Sequence, residues 1–160
     1  MSTALDPGIC YRAIQTRDRR FDGLFFTAVR STGIFCRPVC PAKVPKRNNC
    51  TFYRSAAAAQ QAGYRPCLRC RPEIAPQLWA AADGADVVPR ALQMIGARAL
   101  DELSVRDLAH RLRVSDRYLR RRFAEDLGTA PSQVAKTRRL LFAKQLITDT
   151  TLTMTEIAIA

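Results

Sequence analysis

Apolar residues follow two different rhythms along the chain. In the first half they come as short runs; in the second they recur at helical spacing. Phe21–Val29 (FDGLFFTAV) predicts a strand of aromatic and β-branched residues, RSTG a turn, and Ile34-Phe35 an extended stretch running into Cys36. NNCTFY predicts another strand. SAAAAQQAG predicts a short helix with Ser55 as N-cap and Gly63 as its stop. Together these imply a small α+β unit with a thin core, a size of domain that often depends on a metal.

From Val87 onward the pattern is helical. DVVPRALQMIGARAL predicts one helix. SVRDLAHRL predicts a second, with Val105, Leu108, Ala109 and Leu112 on one face and Ser104 and Asp107 spaced as a capping box. DRYLRRRFAEDL follows, capped by Ser115 and stopped by Gly128; Leu119, Phe123 and Leu127 form its core face. PSQVAKTRRLLFAKQLI carries Pro131 in its first turn. TMTEIAIA opens a fifth helix, with Thr153 and Glu156 as a second capping box. The fold class expected is therefore an α+β module (1–75) followed by an all-α module (86–160). Residues 76–85 are the linker, within a Pro-, Ala- and Gly-rich stretch whose Trp79 can dock on either side.

Charge sharpens this division. The 160 residues carry 26 basic and 14 acidic side chains, a net charge of +12. Residues 1–80 hold 13 basic and 4 acidic residues and residues 81–160 hold 13 and 10, nets of +9 and +3. So basic a chain without lysine runs or low complexity points to nucleic acid rather than to a disordered or membrane-surface protein. The N-terminal MSTALDPGICYRAIQ lacks the basic start and apolar core of a secretory signal, and no apolar run approaches membrane-spanning length. A cytoplasmic protein is expected, where cysteine pairs bind metal or do chemistry more often than they form disulfides.

All six cysteines lie in the first half. Cys36 and Cys40 are spaced C-x3-C, Cys67 and Cys70 are spaced C-x2-C, and 26 residues separate the pairs. Two such pairs supply four thiolates to a tetrahedral Zn2+, and the tighter cysteine run usual for iron–sulfur clusters is missing. Cys10 and Cys50 read as plain buried thiols. By spacing alone the metal is either a structural staple or an activator that keeps one thiolate nucleophilic at neutral pH.

FDGLFFTAVRSTGIFCRPVCPAK, NNCTFY and AAAAQQAGYRPCLRCRP together resemble the N-terminal module of the Ada-type adaptive-response regulators, over about Asp6 to Pro72. The resemblance implies zinc held by Cys36, Cys40, Cys67 and Cys70. It implies irreversible, single-turnover transfer of a methyl group from a DNA methylphosphotriester to Cys36. It places Thr32, Lys43 and Arg65 against DNA, with Lys43 departing from the family's common arginine and losing its bidentate fork. Methylation changes the formal charge of a four-thiolate zinc site from −2 to −1. At an effective dielectric near 20, one charge pair about 8 Å apart is worth about 2 kcal/mol, more than tenfold in DNA affinity.

LSVRDLAHRLRVSDRYLRRRF also has helix–turn–helix logic, turning at Arg113-Val114-Ser115, with Arg117, Arg120 and Arg121 facing outward. The segment from Val87 to Ala160 resembles the AraC/XylS-type DNA-binding domain. That makes the same three arginines base-contact candidates, and Arg138 and Arg139 phosphate contacts or salt-bridge partners. Only the first helix of that family's second helix–turn–helix is present, so a truncated piece of a longer gene is expected. His110 lies on the scaffold helix and takes no role. A Pro-Cys-His-Arg motif for base demethylation is absent.

The combined expectation is a monomeric, nucleoid-associated repair sensor that meets double-stranded DNA and RNA polymerase and activates repair genes. Its alternatives are a zinc-stabilised transcription factor without methyl transfer, or the regulatory front of a 3-methyladenine glycosylase fusion.

Overall fold

The computed structural model describes residues 5–76, 86–97, 100 and 103–160. Helix α1 (Pro7–Thr16) comes first. Asp6 caps it by accepting the Ile9 N–H at 2.8 Å, Pro7 pre-sets its first turn, and Arg17 ends it in the left-handed region. The sequence reading assigns no element to this stretch, whose Pro7 and Gly8 obscure a helical pattern. Its Cys10, Ala13 and Ile14 pack with Phe25 into one small core.

The strand expected over Phe21–Val29 is shorter than that. Residues Arg19–Phe21 form a 3-10 turn capped by Asp18, and only Phe26–Val29 (β1) is extended. The side chain of Asp18 accepts the Arg20 N–H, and that local bond wins over strand propensity. β2 (Ile34–Cys36), β3 (Cys50–Tyr53) and β4 (Arg65–Pro66) complete a sheet ordered β3-β1-β2-β4. β1 is antiparallel to both neighbours, and β4 lies parallel to β2. Gly33, at φ 66°, closes the β1–β2 turn, and the Arg65 N–H donates to its carbonyl at 2.8 Å. α2 (Ala56–Gln61), capped by Ser55, covers a second core of Phe26, Ala28, Phe35 and Ala59, with the Phe26 and Phe35 rings edge to face.

The C-terminal module contains α3 (Val87–Gly96), α4 (Val105–Arg111), α5 (Asp116–Leu127), α6 (Pro131–Asp149) and α7 (Met154–Ile159). Both expected capping boxes form. Leu92, Leu108, Leu119 and Phe123 are fully buried at its centre. The helix expected from Asp86 to Leu100 is described as far as Gly96. The expected linker, apart from Pro76, lies outside the described residues, as does Trp79. Among the described residues no helix is long and apolar enough to cross a membrane.

The two regions touch. Ser55 Oγ donates to the Leu127 carbonyl at 2.8 Å, and Thr129 donates to Gln61. Glu73, in the 3-10 turn Pro72–Ile74, has a side chain 2% exposed. It accepts from Arg71 at 3.0 Å and from Lys144 of α6 at 2.6 Å, and Arg71 also reaches Asp149. Burial raises the Glu73 carboxyl pKa, but Lys144, its own backbone N–H and Arg71 lower it, and the net lies below its ordinary value. A carboxyl with a lowered folded pKa stabilises above the unfolded carboxylate range, and that contribution is lost as pH falls through the folded value. Glu73→Gln is expected to cost about 3 kcal/mol at neutral pH. The gap between variant and wild type should close below about pH 4, read by thermal unfolding across pH.

Candidate metal centre and DNA-facing cleft

The sheet delivers the four cysteines to one place. Cys36 ends β2, paired with Thr27 of β1. A turn closed by the Cys40 N–H on the Arg37 carbonyl, over the buried ring of Pro38, brings Cys40 back beside it. Cys67 follows β4 and is tied to β2 by its N–H on the Phe35 carbonyl at 3.0 Å. Cys70 closes the second knuckle, before Arg71 takes a left-handed φ of 51°. The pairing of β2 with β4 thus joins two cysteine pairs that lie far apart in sequence.

All four sulfurs lie within 4.8 Å of one another. A tetrahedral zinc with Zn–S of about 2.3 Å needs sulfurs about 3.8 Å apart, and Cys40 and Cys67 are 4.0 Å apart. No disulfide forms among the six cysteines. The donor set and spacing fit Zn2+.

Thiols this crowded cannot all ionise unaided. Hydrogen bonds from Cys36 and Cys70 pull Cys40 down to about 2, and the contacts with Cys40 and Cys70, with burial, push Cys36 up. A divalent cation among the sulfurs removes this competition.

The sulfurs are not equivalent. Cys67 and Cys70 are buried, whereas Cys36 and Cys40 are partly exposed. The Arg37 N–H donates to Cys70 Sγ at 3.3 Å, and the Ala42 N–H bonds Cys40. Among the described residues no backbone N–H bonds the Cys36 sulfur. Cys36 faces a cleft of about 790 Å3 whose wall also includes Thr32, Lys43, Arg65 and Arg69. Thr32, on the β1–β2 turn, Lys43, on the loop after Cys40, and Arg65, on β4, are exposed, so three separate segments bring the expected DNA-contact residues to one cleft.

Of the five cations flanking the cysteines in sequence, two are engaged internally. Arg37 is gripped by Asp22, with side-chain exposures of 12% and 8%, and also donates to the Cys70 carbonyl at 3.1 Å. Arg71 serves Glu73 and Asp149. Lys43, Arg65 and Arg69 are exposed around the cleft, without ion-pair partners among the described residues. The engagement of Asp22 was not legible in the linear pattern. The signal lay in Asp22-Gly23, an acid held by a turn whose Gly23 needs φ 85°.

In the helical module Arg113, at φ 59°, makes the tight turn between α4 and α5, and the Val114 N–H returns to the Ala109 carbonyl. Leu119, Phe123 and Leu127 are buried, and Arg117, Arg120 and Arg121 are exposed on the opposite side of α5. Arg120 pairs with Asp116; Arg121 lies 3.8 Å from Glu125 and over the Tyr118 ring. These contacts hold the two guanidiniums at the surface without covering them. Arg138 instead packs against Gly96, where an added Cβ would lie 3.0 Å from its guanidinium, and burial lowers its pKa.

Residues 9–73 match the family model described as the metal binding domain of Ada, and residues 108–160 match a helix-turn-helix domain model. The chain is 41% identical over 151 residues to the Mycobacterium tuberculosis protein named probable bifunctional transcriptional activator/DNA repair enzyme AlkA, covering 94% of this chain and 30% of that one. It is 35% identical to Escherichia coli Ada, named a bifunctional transcriptional activator/DNA repair enzyme, covering 87% of this chain and 39% of that one. Against Bacillus subtilis AdaA the identity is 30%, covering 93% of this chain and 68% of the relative. The chain thus spans 30% and 39% of the first two relatives. A solved structure titled as the methylated N-ADA/DNA complex aligns with a TM-score of 0.42 at 33% identity, over 85% of this chain and 99% of that one.

Stripping the metal with a strong thiophilic chelator is expected to unfold the cysteine module and leave the helical module folded. Structural zinc contributes on the order of 10 kcal/mol, more than a core this thin supplies. Circular dichroism at increasing chelator should show partial loss of signal, reversed by Zn2+.

Proposed function

Because this chain belongs to the Ada family of regulators, we propose that it transfers a methyl group from a DNA methylphosphotriester to Cys36 and carries the result to promoter DNA. The carrying observation is that the Cys36 sulfur both lines the cationic cleft and lacks a backbone hydrogen bond among the described residues. An N–H bond withdraws electron density from a thiolate, and Cys40 and Cys70 each accept one. Burial hides Cys67. Cys36 is the sulfur left both reachable and electron-rich.

Bound Zn2+ would be held by Cys36, Cys40, Cys67 and Cys70 and would keep their thiols deprotonated. The Cys36 lone pair attacks the methyl carbon in line with the departing oxygen. The S–C bond forms as the C–O bond breaks, and the electron pair stays on that oxygen. The neutral triester becomes a phosphodiester anion and the thiolate a thioether, with no proton transferred. Lys43 and Arg65 meet the charge that develops on the phosphate, and Thr32 contacts the adjoining backbone. A thioether has no ready leaving path, so each molecule reacts once.

The helical module supplies the second half of the function. Arg117, Arg120 and Arg121 on α5 read base edges in the major groove. Residues 1–75 and 86–160, joined through 76–85, divide repair from recognition. Promoter binding presents the protein, as a monomer in the bacterial cytoplasm and nucleoid, to RNA polymerase. Relatives named both transcriptional activators and DNA repair enzymes support this pairing of roles.

Intact mass of the zinc-loaded protein, after incubation with DNA treated with methyl methanesulfonate, should show a single added methyl. Peptide mapping should place it at Cys36, and Cys36→Ser should abolish it. No mass change in protein that binds zinc and DNA would instead identify a plain zinc-stabilised transcription factor. Lys43→Ala and Arg65→Ala should each reduce the slope of log affinity against log salt by about 0.9, since each removes one phosphate contact.

A further inference from the structure

Arg37 follows Cys36 directly, so the chain itself carries its guanidinium beside the metal site. Four thiolates around Zn2+ leave a formal charge of −2, and an adjacent free guanidinium would fold over the sulfurs as their counter-ion. The guanidinium is taken up instead by a carboxylate and a backbone carbonyl. Both Asp22 carboxylate oxygens bind it, at Nε with 2.9 Å and at Nη2, and Nη1 donates to the Cys70 carbonyl at 3.1 Å. The pair is almost fully buried. Asp22 is itself fixed, its N–H on the Arg19 carbonyl and Gly23 in a conformation open chiefly to glycine. The exposed cations that line the cleft, Lys43, Lys46, Arg65 and Arg69, stand where a phosphate would enter.

We propose that Asp22 is a positioning residue: it neutralises Arg37 and ties its guanidinium down, so that the sulfur cluster keeps the negative charge that makes Cys36 nucleophilic and that weakens binding to undamaged DNA. This rests on the methyl-transfer reading for one of its two consequences and not for the other. With Asp22 neutral, the Arg37 charge is uncompensated, and the local charge moves by +1, the same change that methylating Cys36 produces. An Asp22→Asn protein should therefore resemble the reacted form before reacting.

The test uses the zinc-loaded chain as wild type, Asp22→Asn and Asp22→Asn/Arg37→Gln. In the double variant the two amides can still hydrogen-bond, and the net charge is restored. Asp22→Asn should transfer methyl about tenfold more slowly and bind undamaged duplex DNA about tenfold more tightly at low salt. The double variant should return both values toward wild type. Zinc content and thermal melting are measured on all three. A merely structural pair predicts loss of zinc or of fold in both variants, and that result overturns the proposal. So does a folded, zinc-loaded Asp22→Asn with wild-type DNA affinity. If wild type itself gains no methyl, the reaction reading fails, and the affinity comparison still decides the role of Asp22.

Discussion

Four thiolates repel one another, and the N-terminal module is built around making them meet. Among the described residues, the two hydrophobic clusters of that module each hold four buried residues. A core that small leaves little stability to spend on forcing like charges together. A divalent cation turns the most repulsive point of the fold into its strongest bond. The sheet order follows from this need. β4 is only two residues long, yet its pairing with β2 sets Cys67 beside Cys36. A sheet edge this short would be marginal alone, so metal and β-pairing support each other.

The same charge explains how the basic residues are sorted. A strongly cationic sequence around an anionic cluster looks at first like simple compensation. The structure divides the cations into two classes. Arg37 and Arg71 are bound by buried or half-buried carboxylates, and their charge is largely cancelled locally. Lys43, Arg65 and Arg69 remain exposed around the cleft. The net charge of +12 therefore overstates the field at the cleft mouth and says nothing of its placement. On the proposed function, a phosphate backbone approaching Cys36 meets attraction at the rim and repulsion at the centre, and methyl transfer alters only the centre.

Much of this was legible in the sequence, for physical reasons that can be named. Helices α4 and α5 are local objects: Ser104 and Asp107 bind each other across one turn, and Leu119, Phe123 and Leu127 recur at helical spacing. The cysteine pairs are legible because ligand spacing is short-range. What failed was either masked by a strong local signal or was long-range. Pro7 and Gly8 hid α1, though Asp6-Pro7 is itself a helix start. Phe21–Val29 reads as one strand because Phe21 adds an aromatic ahead of Leu24–Val29, yet Phe21 belongs to the Asp18-capped turn and Asp22-Gly23 separates the two. The partners of Arg37 and Arg71 lie 15 and 78 residues away, in Asp22 and Asp149, and no periodicity encodes them.

The joint between the modules bears on how the proposed methyl transfer would become a binding signal. One mechanism would have methylation loosen the joint and free the helical module. The magnitudes oppose it. Opening the joint forfeits Ser55 on Leu127 and Thr129 on Gln61, each worth about 1 kcal/mol. It also forfeits the charge-assisted bond from Lys144 to Glu73, worth about 1.5–3 kcal/mol. Exposure of Phe26, Leu127 and Leu141, which line the seam, adds to that cost. The loss of one charge that the proposed methylation of Cys36 would bring is worth about 2 kcal/mol at about 8 Å, and it weakens with distance and salt. That is too little to break the joint. It is enough to change the affinity of a surface that faces phosphates directly. A charge switch acting on DNA through a joint that stays closed needs no change of shape, and the seam keeps α5 in fixed relation to the cleft while the charge changes.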